Sequence, residues 1–413
     1  MPFYVKMSYK ITFMEDCRMV SKKINENLGR SSWIRSMFEE GERLRQKYGA
    51  ENVFDFTLGN PDPEPPAIVK QALKDIVLED IAGIHKYMSN AGFDDVREAI
   101  AKKTEEDSGV PVSRDHIVMT CGAAGGLNII LKAILDPGDE VIVVAPYFVE
   151  YLFYIDNHGG IPVITTSNPD TFQLDMHEFE KSITKNTKAI ILNSPNNPTG
   201  VVYSREILGE LNDLILKKSK EFNSQIYVIS DEPYSQLVYE DIEIPNLLDV
   251  FDNCIIANSF SKSLALPGER VGYVAVSPKI DNAKLLVDAL IFCNRTLGFV
   301  NAPALFQKVI AKSLYSSVDV ETYREKRDLL YGYFCDAGFE CIKPQGAFYL
   351  FPKSPISDDI EFINSATKYN LLFVPGTGFG YPGHFRVSYC TSIDTVRGAK
   401  DAIMALGKDY NLL

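Results

Sequence analysis

Between residues 116 and 278 the chain alternates short apolar, β-branched runs with longer stretches of helical periodicity. The runs are HIVMT from His116, EVIVVAPY from Glu140, IPVITT from Ile161, KAIILNS from Lys188, IYVISD from Ile226, CIIANSFS from Cys254 and GYVAVSP from Gly272. Between them lie GLNIILKAIL from Gly126 and a helical stretch through Leu208 to Lys218. Apolar strands separated by helices are the βαβ signature of a mostly parallel sheet. Ahead of this region, Ile34, Met37, Phe38 and Leu44 stand at helical spacing among charges, which predicts an amphipathic helix from Ser32 to Tyr48 ending at Gly49. A strand-like VFDFTLG and a proline-rich loop follow. From about Val300 the pattern changes to a long helical stretch through Arg327, then to the strand-like pieces GFECIKPQGAFYLFP and LLFVPGTGFG.

A chain of 413 residues exceeds what one core usually supports, so two domains are expected. The first is a large α/β unit over residues 50–300; the shift after it predicts a smaller α+β unit over residues 301–413. There is no internal repeat and no low-complexity linker.

Composition narrows the classes. Hydrophobic residues at 46% and charged residues at 23% are ordinary for a soluble globular protein. A net charge of −13 argues against a nucleic-acid partner, which wants a basic patch. The seven cysteines (Cys17, Cys121, Cys254, Cys293, Cys335, Cys341 and Cys390) are odd in number, scattered and without a CxxC pair. A disulfide framework or zinc site is not expected, and a reducing cytoplasm is the simplest setting. Lys6, Lys10, Glu15 and Asp16 interrupt any apolar leader, and no run approaches the roughly 18 apolar residues of a membrane span, so no membrane partner is expected. His85, His116, His158, His177 and His384 form no HxxxH or HxH pair, and no metal site is read.

In mostly parallel sheets, ligands bind just beyond the carboxyl ends of the strands. Gly122, Pro146, Asn197, Asp231 and Lys262 each follow one of the apolar runs, so they converge on one crevice. Lys262 sits in NSFSKSLALPGERVG (Asn258 to Gly272), flanked by Ser259 and Ser261 and followed by Arg270. A lysine that forms a Schiff base beside a phosphate needs uncrowded neighbours, hydroxyl donors and a guanidinium, and this stretch supplies them. A solvent-exposed surface lysine is the plain alternative. Asp231 closes an apolar run, where an unpaired carboxylate is costly, and it also reads as a helix N-cap before Glu232 and Pro233. GAAGG from Gly122 reads as helix-start amides for an anion or as a tight turn. Arg386 in HFRVSYC suits bidentate capture of a carboxylate or a structural salt bridge.

With the lysine segment stand seven further blocks in order: LGNPDPEPP from Leu58, HKYMSNAG from His85, TCGAAGGLN from Thr120, APYFVEY from Ala145, NSPNNPTG from Asn193, SDEPYSQLVY from Ser230 and HFRVSYC from His384. Together they resemble the class I/II pyridoxal-phosphate-dependent aminotransferases, the aspartate aminotransferase-like group of fold type I. The resemblance spans nearly the whole chain. It implies a large domain with a mostly parallel central sheet flanked by helices, and a small α+β domain that also recruits residues 1–49. It implies pyridoxal 5′-phosphate (PLP) bound to Lys262, which then serves as the base at the substrate Cα. Asp231 would pair with the pyridine nitrogen, and Tyr234 and Asn197 would hydrogen-bond the cofactor O3′. Ser259, Ser261, Arg270 and the backbone of Gly122, Ala123 and Ala124 would hold the phosphate. Phe148 would stack on the ring, unless it is simply core. Tyr87 would reach the phosphate of a neighbouring subunit, implying a homodimer with shared active sites. Arg386 would take the substrate α-carboxylate, which the backbone at Gly59 would approach.

Two departures concern the side-chain pocket. One subgroup of aspartate aminotransferases has a lysine for the distal carboxylate where this chain has Ala124. Another uses an arginine donated across the dimer; Arg295, in CNRTLGFVNAP, lies near that place with the spacing to Asn301 differing by one, and Arg35 is a second candidate. The expected function is transfer of the amino group of an L-amino acid, aspartate among the candidates, to a 2-oxo acid such as 2-oxoglutarate, by a ping-pong Schiff-base mechanism. An aromatic or neutral donor, a C–S lyase on the same scaffold, and a PLP-sensing regulator are the alternatives. The regulator reading is weak, because the fold fills the chain and the charge is acidic.

Overall fold

The computed structural model describes residues 19–30 and 32–413. After a two-residue strand, β1 (Phe54–Asp55), come β2 (Ile117–Thr120), β3 (Glu140–Ala145), β4 (Ile161–Thr166), β5 (Thr187–Asn193), β6 (Tyr227–Asp231), β7 (Cys254–Ser259) and β8 (Gly272–Val276). These last seven form one sheet in the order β2-β8-β7-β6-β5-β3-β4. β3 runs parallel to β4 and β5, and β5, β6 and β7 run parallel in succession, while β8 is antiparallel to both β7 and β2. All seven apolar runs are therefore strands of one sheet.

Alternate residues of the central strands enter different cores, which explains why these runs show no regular polar alternation. On one face, Ile117, Met119, Ile190 and Leu192 pack with Val96, Ile100, Leu208, Leu211, Val309 and Ile310. On the other, Val118, Ala189 and Ile191 pack with Leu127, Ile130, Leu131, Leu286 and Leu290. The covering helices include Asp94–Ser108 and Arg205–Phe222 on the first face, and Gly122–Ile134 and Ala283–Thr296 on the second.

A separate core gathers Phe56, Tyr234, Leu237 and Tyr239 with residues from Val318 to Leu406. Around it lie β9 (Tyr349–Leu350), β10 (Leu371–Leu372), β11 (Val374–Pro375) and β12 (Phe385–Ser388); β12 pairs antiparallel with β11 and β9, and β1 pairs parallel with β10. The helical stretch expected from Val300 through Arg327 is two helices, Ala304–Ser313 and Val320–Asp336. The first packs against helices Ala67–Leu78 and Asp94–Ser108, so the change of core falls between Leu314 and Val318. The segment after β6 leads from the sheet into this second core through Tyr234 and Leu237. The carboxyl end of the sheet thus faces side chains from both cores. Among the described residues no helix is long and apolar enough to cross a membrane.

Where β8 meets the start of helix Gly122–Ile134, the backbones touch: a Cβ on Gly272 would run into the carbonyl oxygen of Asn258 and lie 2.9 Å from Gly122 Cα. Gly272→Ala is expected to lower stability by about 1–3 kcal/mol through overpacking against backbone that cannot yield. A thermal-melt midpoint equal to that of the parent would contradict the contact.

Candidate active site

The carboxyl ends of β2, β3, β5, β6 and β7 open on a cavity of about 310 Å³. Asp231, the last residue of β6, is 6% exposed. Its Oδ2 accepts a hydrogen bond of 2.5 Å from the hydroxyl of Tyr151, while Oδ1 is buried without a partner. Burial pushes the carboxyl up to about 6, with the Tyr151 bond opposing. No helix begins after Asp231; the next is Leu247–Val250. The capping alternative therefore fails, and an oxygen remains that a cationic donor would satisfy.

Lys262 follows β7 and reaches into the same cavity, its Nζ donating to the carbonyl of Gly59 at 2.6 Å. Desolvation lowers the amine to about 8; Arg386 and Arg270 push the same way and Cys390 opposes. Lys262 is only partly exposed and its amine is bonded inside the cavity, so the surface alternative is also excluded. The two groups shift toward their neutral forms for one reason, removal from water.

At one end the site is built for an anion. Ala123 and Ala124 stand in the first turn of helix Gly122–Ile134 and line the cavity, where free amides and the helix dipole attract negative charge. Gly122 has φ +73°, and a Cβ there would sit 2.8 Å from the Arg270 guanidinium. Arg270 itself is left-handed (φ +53°), which turns it back over that helix start, and its Nη1 donates to Pro267 O at 2.9 Å. Ser259 and Ser261 are buried at 4% and 8% exposure and line the cavity.

At the other end stands Arg386 on β12. Its Nη2 donates to Thr57 O at 2.7 Å and its Nη1 to Asn197 Oδ1 at 3.1 Å, while Nε is buried without a partner. The guanidinium lies 4.6 Å from the Tyr349 ring centroid and 4.8 Å from that of Phe379. Its bonds go to neutral oxygens, and the described ion pairs do not include it, so the salt-bridge alternative is not what the geometry holds. Asn193 ties Asp231 to Asn197: its side-chain amide donates to Asp231 O at 2.9 Å and its Oδ1 accepts from the Asn197 backbone N–H at 2.7 Å. Tyr234 is buried with its hydroxyl 3.0 Å from that of Tyr349. A Cβ on Gly59 would strike the Tyr349 hydroxyl, so only glycine fits there.

Of the residues singled out from sequence, Gly59, Ala123, Ala124, Phe148, Asn197, Asp231, Tyr234, Ser259, Ser261, Lys262, Arg270 and Arg386 line this one cavity, and Gly122 abuts Arg270. Tyr87 is 93% exposed and Arg295 is an exposed residue of helix Ala283–Thr296, its guanidinium over Phe292; neither lines the cavity. The Arg35 side chain lies outside the described residues. Ala124 presents only a methyl group and backbone. Tyr151, Asn193, Tyr349 and Phe379 were not singled out. Tyr151 and Asn193 stand inside quoted blocks, so proximity to a strand end could have flagged them; Tyr349 and Phe379 carry no such signal. A neighbouring cavity of about 250 Å³ beyond Pro233, lined by Glu232, Asn258 and Tyr273, contains none of the predicted residues.

The arrangement can hold an anion at one end and a carboxylate at the other, with a near-neutral amine and a carboxylate seeking a cationic donor between them. The family model for aminotransferase class I and II matches residues 51–403. An aspartate aminotransferase of Thermotoga maritima is 37% identical over 359 residues, covering 86% of this chain and 91% of that protein. A probable aspartate/prephenate aminotransferase of Thermus aquaticus is 34% identical over 362 residues, covering 86% and 91%. Among solved structures, an amino transferase from Eubacterium rectale superposes with a TM-score of 0.92 at 39% identity, covering 95% of this chain and 99% of that one. The aspartate aminotransferase from Thermus thermophilus with maleate superposes with a TM-score of 0.84 at 30% identity, covering 94% and 100%.

The lowered Lys262 value predicts the reactivity of the protein stripped of small molecules. Only the neutral amine reacts with an acylating reagent, and its fraction rises with pH through the folded value. Labelling at Lys262, followed by peptide mass spectrometry, should reach half its maximal rate near pH 8. A midpoint near 10.5, the ordinary value, would contradict the burial argument.

Proposed function

The chain belongs to the class I and II aminotransferases, and from that premise we propose that it uses PLP at Lys262 to move an amino group from an L-amino acid to a 2-oxo acid in a ping-pong cycle. The observation that carries the reading is the meeting of Lys262, lowered to about 8, and Asp231, with one buried oxygen unpartnered, in one cavity with an anion-binding end. These residues fit the cofactor. Asp231 Oδ1 would receive a protonated ring nitrogen, and the first-turn amides of helix Gly122–Ile134 with Ser259, Ser261 and Arg270 would hold the phosphate. Tyr234 and Asn197 would orient the ring oxygen and Phe148 would cover the ring face. Bound there, PLP supplies an electron-withdrawing ring that accepts the electron pair left when the substrate loses its Cα proton.

The protein's own groups do the rest. Arg386 captures the α-carboxylate, its orphan Nε supplying a donor and its plane held by Tyr349 and Phe379, so the Cα–H bond is presented in one orientation. Lys262, partly neutral near physiological pH, takes the Cα proton from the donor and in the second half-reaction delivers one to the Cα of the acceptor. Burial that lowers its value is what makes it a usable base at that pH.

Relatives named as aspartate or aspartate/prephenate aminotransferases support aspartate as a donor. Lys262, Arg270 and Arg386 are the cationic side chains lining the described cavity, so a distal carboxylate needs a further one. We place Arg295 in that role across a dimer interface, where Tyr87 would reach the phosphate of the neighbouring subunit's cofactor; both residues are exposed. The homodimer, the cytoplasmic setting supported by the scattered cysteines, and two domains divided near residue 315, with residues 54–56 joining the second, are parts of the same proposal. The lyase and regulatory alternatives have no observation in their favour.

Lys262→Ala is expected to abolish transaminase turnover while leaving the circular dichroism spectrum unchanged; full turnover would end the proposal. Arg295→Ala should slow aspartate and 2-oxoglutarate by about tenfold or more, the scale of one lost charge-assisted contact, and leave alanine or phenylalanine nearly untouched. Equal slowing of all donors in single half-reactions would remove Arg295 from substrate recognition.

A further inference from the structure

Residues 58–65 connect β1 to helix Ala67–Leu78 and carry the Gly59 carbonyl to the active-site cavity. Among the described residues, no backbone–backbone hydrogen bond ties this stretch to any other segment. Two side-chain ammonium groups hold it instead. One is Lys262, bonded to Gly59 O at 2.6 Å; the other is Lys326, bonded to Asp62 Oδ2 at 2.7 Å. Lys326 sits on helix Val320–Asp336 and is 1% exposed, whereas the Asp62 side chain is 38% exposed. A lysine buried to that degree is costly unless paired, and Asp62 is the hydrogen-bond partner its amine has among the described residues.

The two ties differ in permanence. Lys262 is the amine that the proposed reaction engages, so its bond to Gly59 cannot persist once that nitrogen is occupied. Asp62 stands three positions beyond Gly59, and its anchor lies in the second core, untouched by the chemistry. Gly59 in turn must lie close against the wall of the cavity, since a Cβ there would meet the Tyr349 hydroxyl and come within 3.3 Å of Phe348. Arg386 bonds the carbonyl of Thr57, two residues before Gly59, so the loop borders the group that receives the substrate carboxylate.

We propose that Lys326, through its half-buried ion pair with Asp62, is a positioning residue that keeps the Gly59 loop seated at the carboxylate end of the cavity when Lys262 is otherwise engaged. The inference rests on the functional reading above. Loss of the pair loosens the loop and weakens substrate capture, while the proton-transfer groups stay in place. It therefore acts on KM more than on kcat.

The test uses holoenzyme carrying Lys326→Met, which removes the charge and refills its volume, with Asp62→Asn as a second variant at the more exposed partner and Lys326→Arg as the conservative replacement. Lys326→Met and Asp62→Asn should raise KM for both donor and acceptor about tenfold with kcat within about threefold. They should also speed cleavage by a broad-specificity protease within residues 58–65 of the cofactor-loaded protein. Lys326→Arg should restore both parameters. An unchanged KM, an equal fall in kcat and kcat/KM, or unchanged cleavage within 58–65 would overturn the positioning role. Should the parent prove inactive as a transaminase, the functional reading fails by itself, and cleavage of the loop in parent and variants still decides whether the pair holds it.

Discussion

Desolvation of two opposite ionisable groups in one cavity is the constraint on which this structure turns. The amine of Lys262 is lowered to about 8 and the carboxyl of Asp231 raised to about 6, each chiefly by burial. A folded chain normally satisfies buried polar groups internally. Here one oxygen of Asp231 and Nε of Arg386 are buried without partners, and both residues line the same cavity. Such groups are destabilising by themselves and become favourable only when something from outside supplies the missing partner. The site is in that sense incomplete: a cationic donor would satisfy the free oxygen of Asp231, and an anion would satisfy Nε of Arg386.

The sheet makes this incompleteness tolerable by fixing everything around it. Asp231 lies in register between Asn193 of β5 and Ala257 of β7, and the Asn193 side chain bonds both the Asp231 carbonyl and the Asn197 amide. Tyr151 holds the remaining carboxylate oxygen. Groups held by packed strands and neighbouring hydrogen bonds keep their geometry better than groups carried on free loops. Arg386, Tyr349 and the 57–62 segment come from the second core, so the carboxylate end of the cavity belongs to different packing from the lysine end. Lys262 Nζ to Gly59 O and Arg386 Nη1 to Asn197 Oδ1 are among the contacts that span the two.

Much of the sheet was legible in the sequence because its central strands, such as EVIVVA and KAIILN, are buried on both faces; edge strand β4 is apolar too, although Ile161 and Ile164 are exposed. The cavity was legible for a related reason, since residues just past strand ends in a parallel sheet must converge whatever the connecting loops do. What escaped were pairings set by topology. Tyr151 and Asp231 are separated by 80 residues, Tyr234 and Tyr349 by 115, and Asp62 and Lys326 by 264. Periodicity reports which face of an element is apolar, not which distant element it meets. The break at 314–319 between helices Ala304–Ser313 and Val320–Asp336 was missed likewise, because both segments carry amphipathic spacing while packing in different cores. Tyr87 and Arg295 lie exposed outside the cavity of the single chain, so their roles are not legible from it.

The most direct measurement of the central claim is to load the protein with PLP, reduce it with borohydride and locate the modification by peptide mass spectrometry, in the parent and in Asp231→Ala. The account predicts one pyridoxyl group on the peptide containing Lys262, with attachment markedly weakened when Asp231 is lost. Modification spread over surface lysines, or attachment at Lys262 indifferent to Asp231, would contradict it.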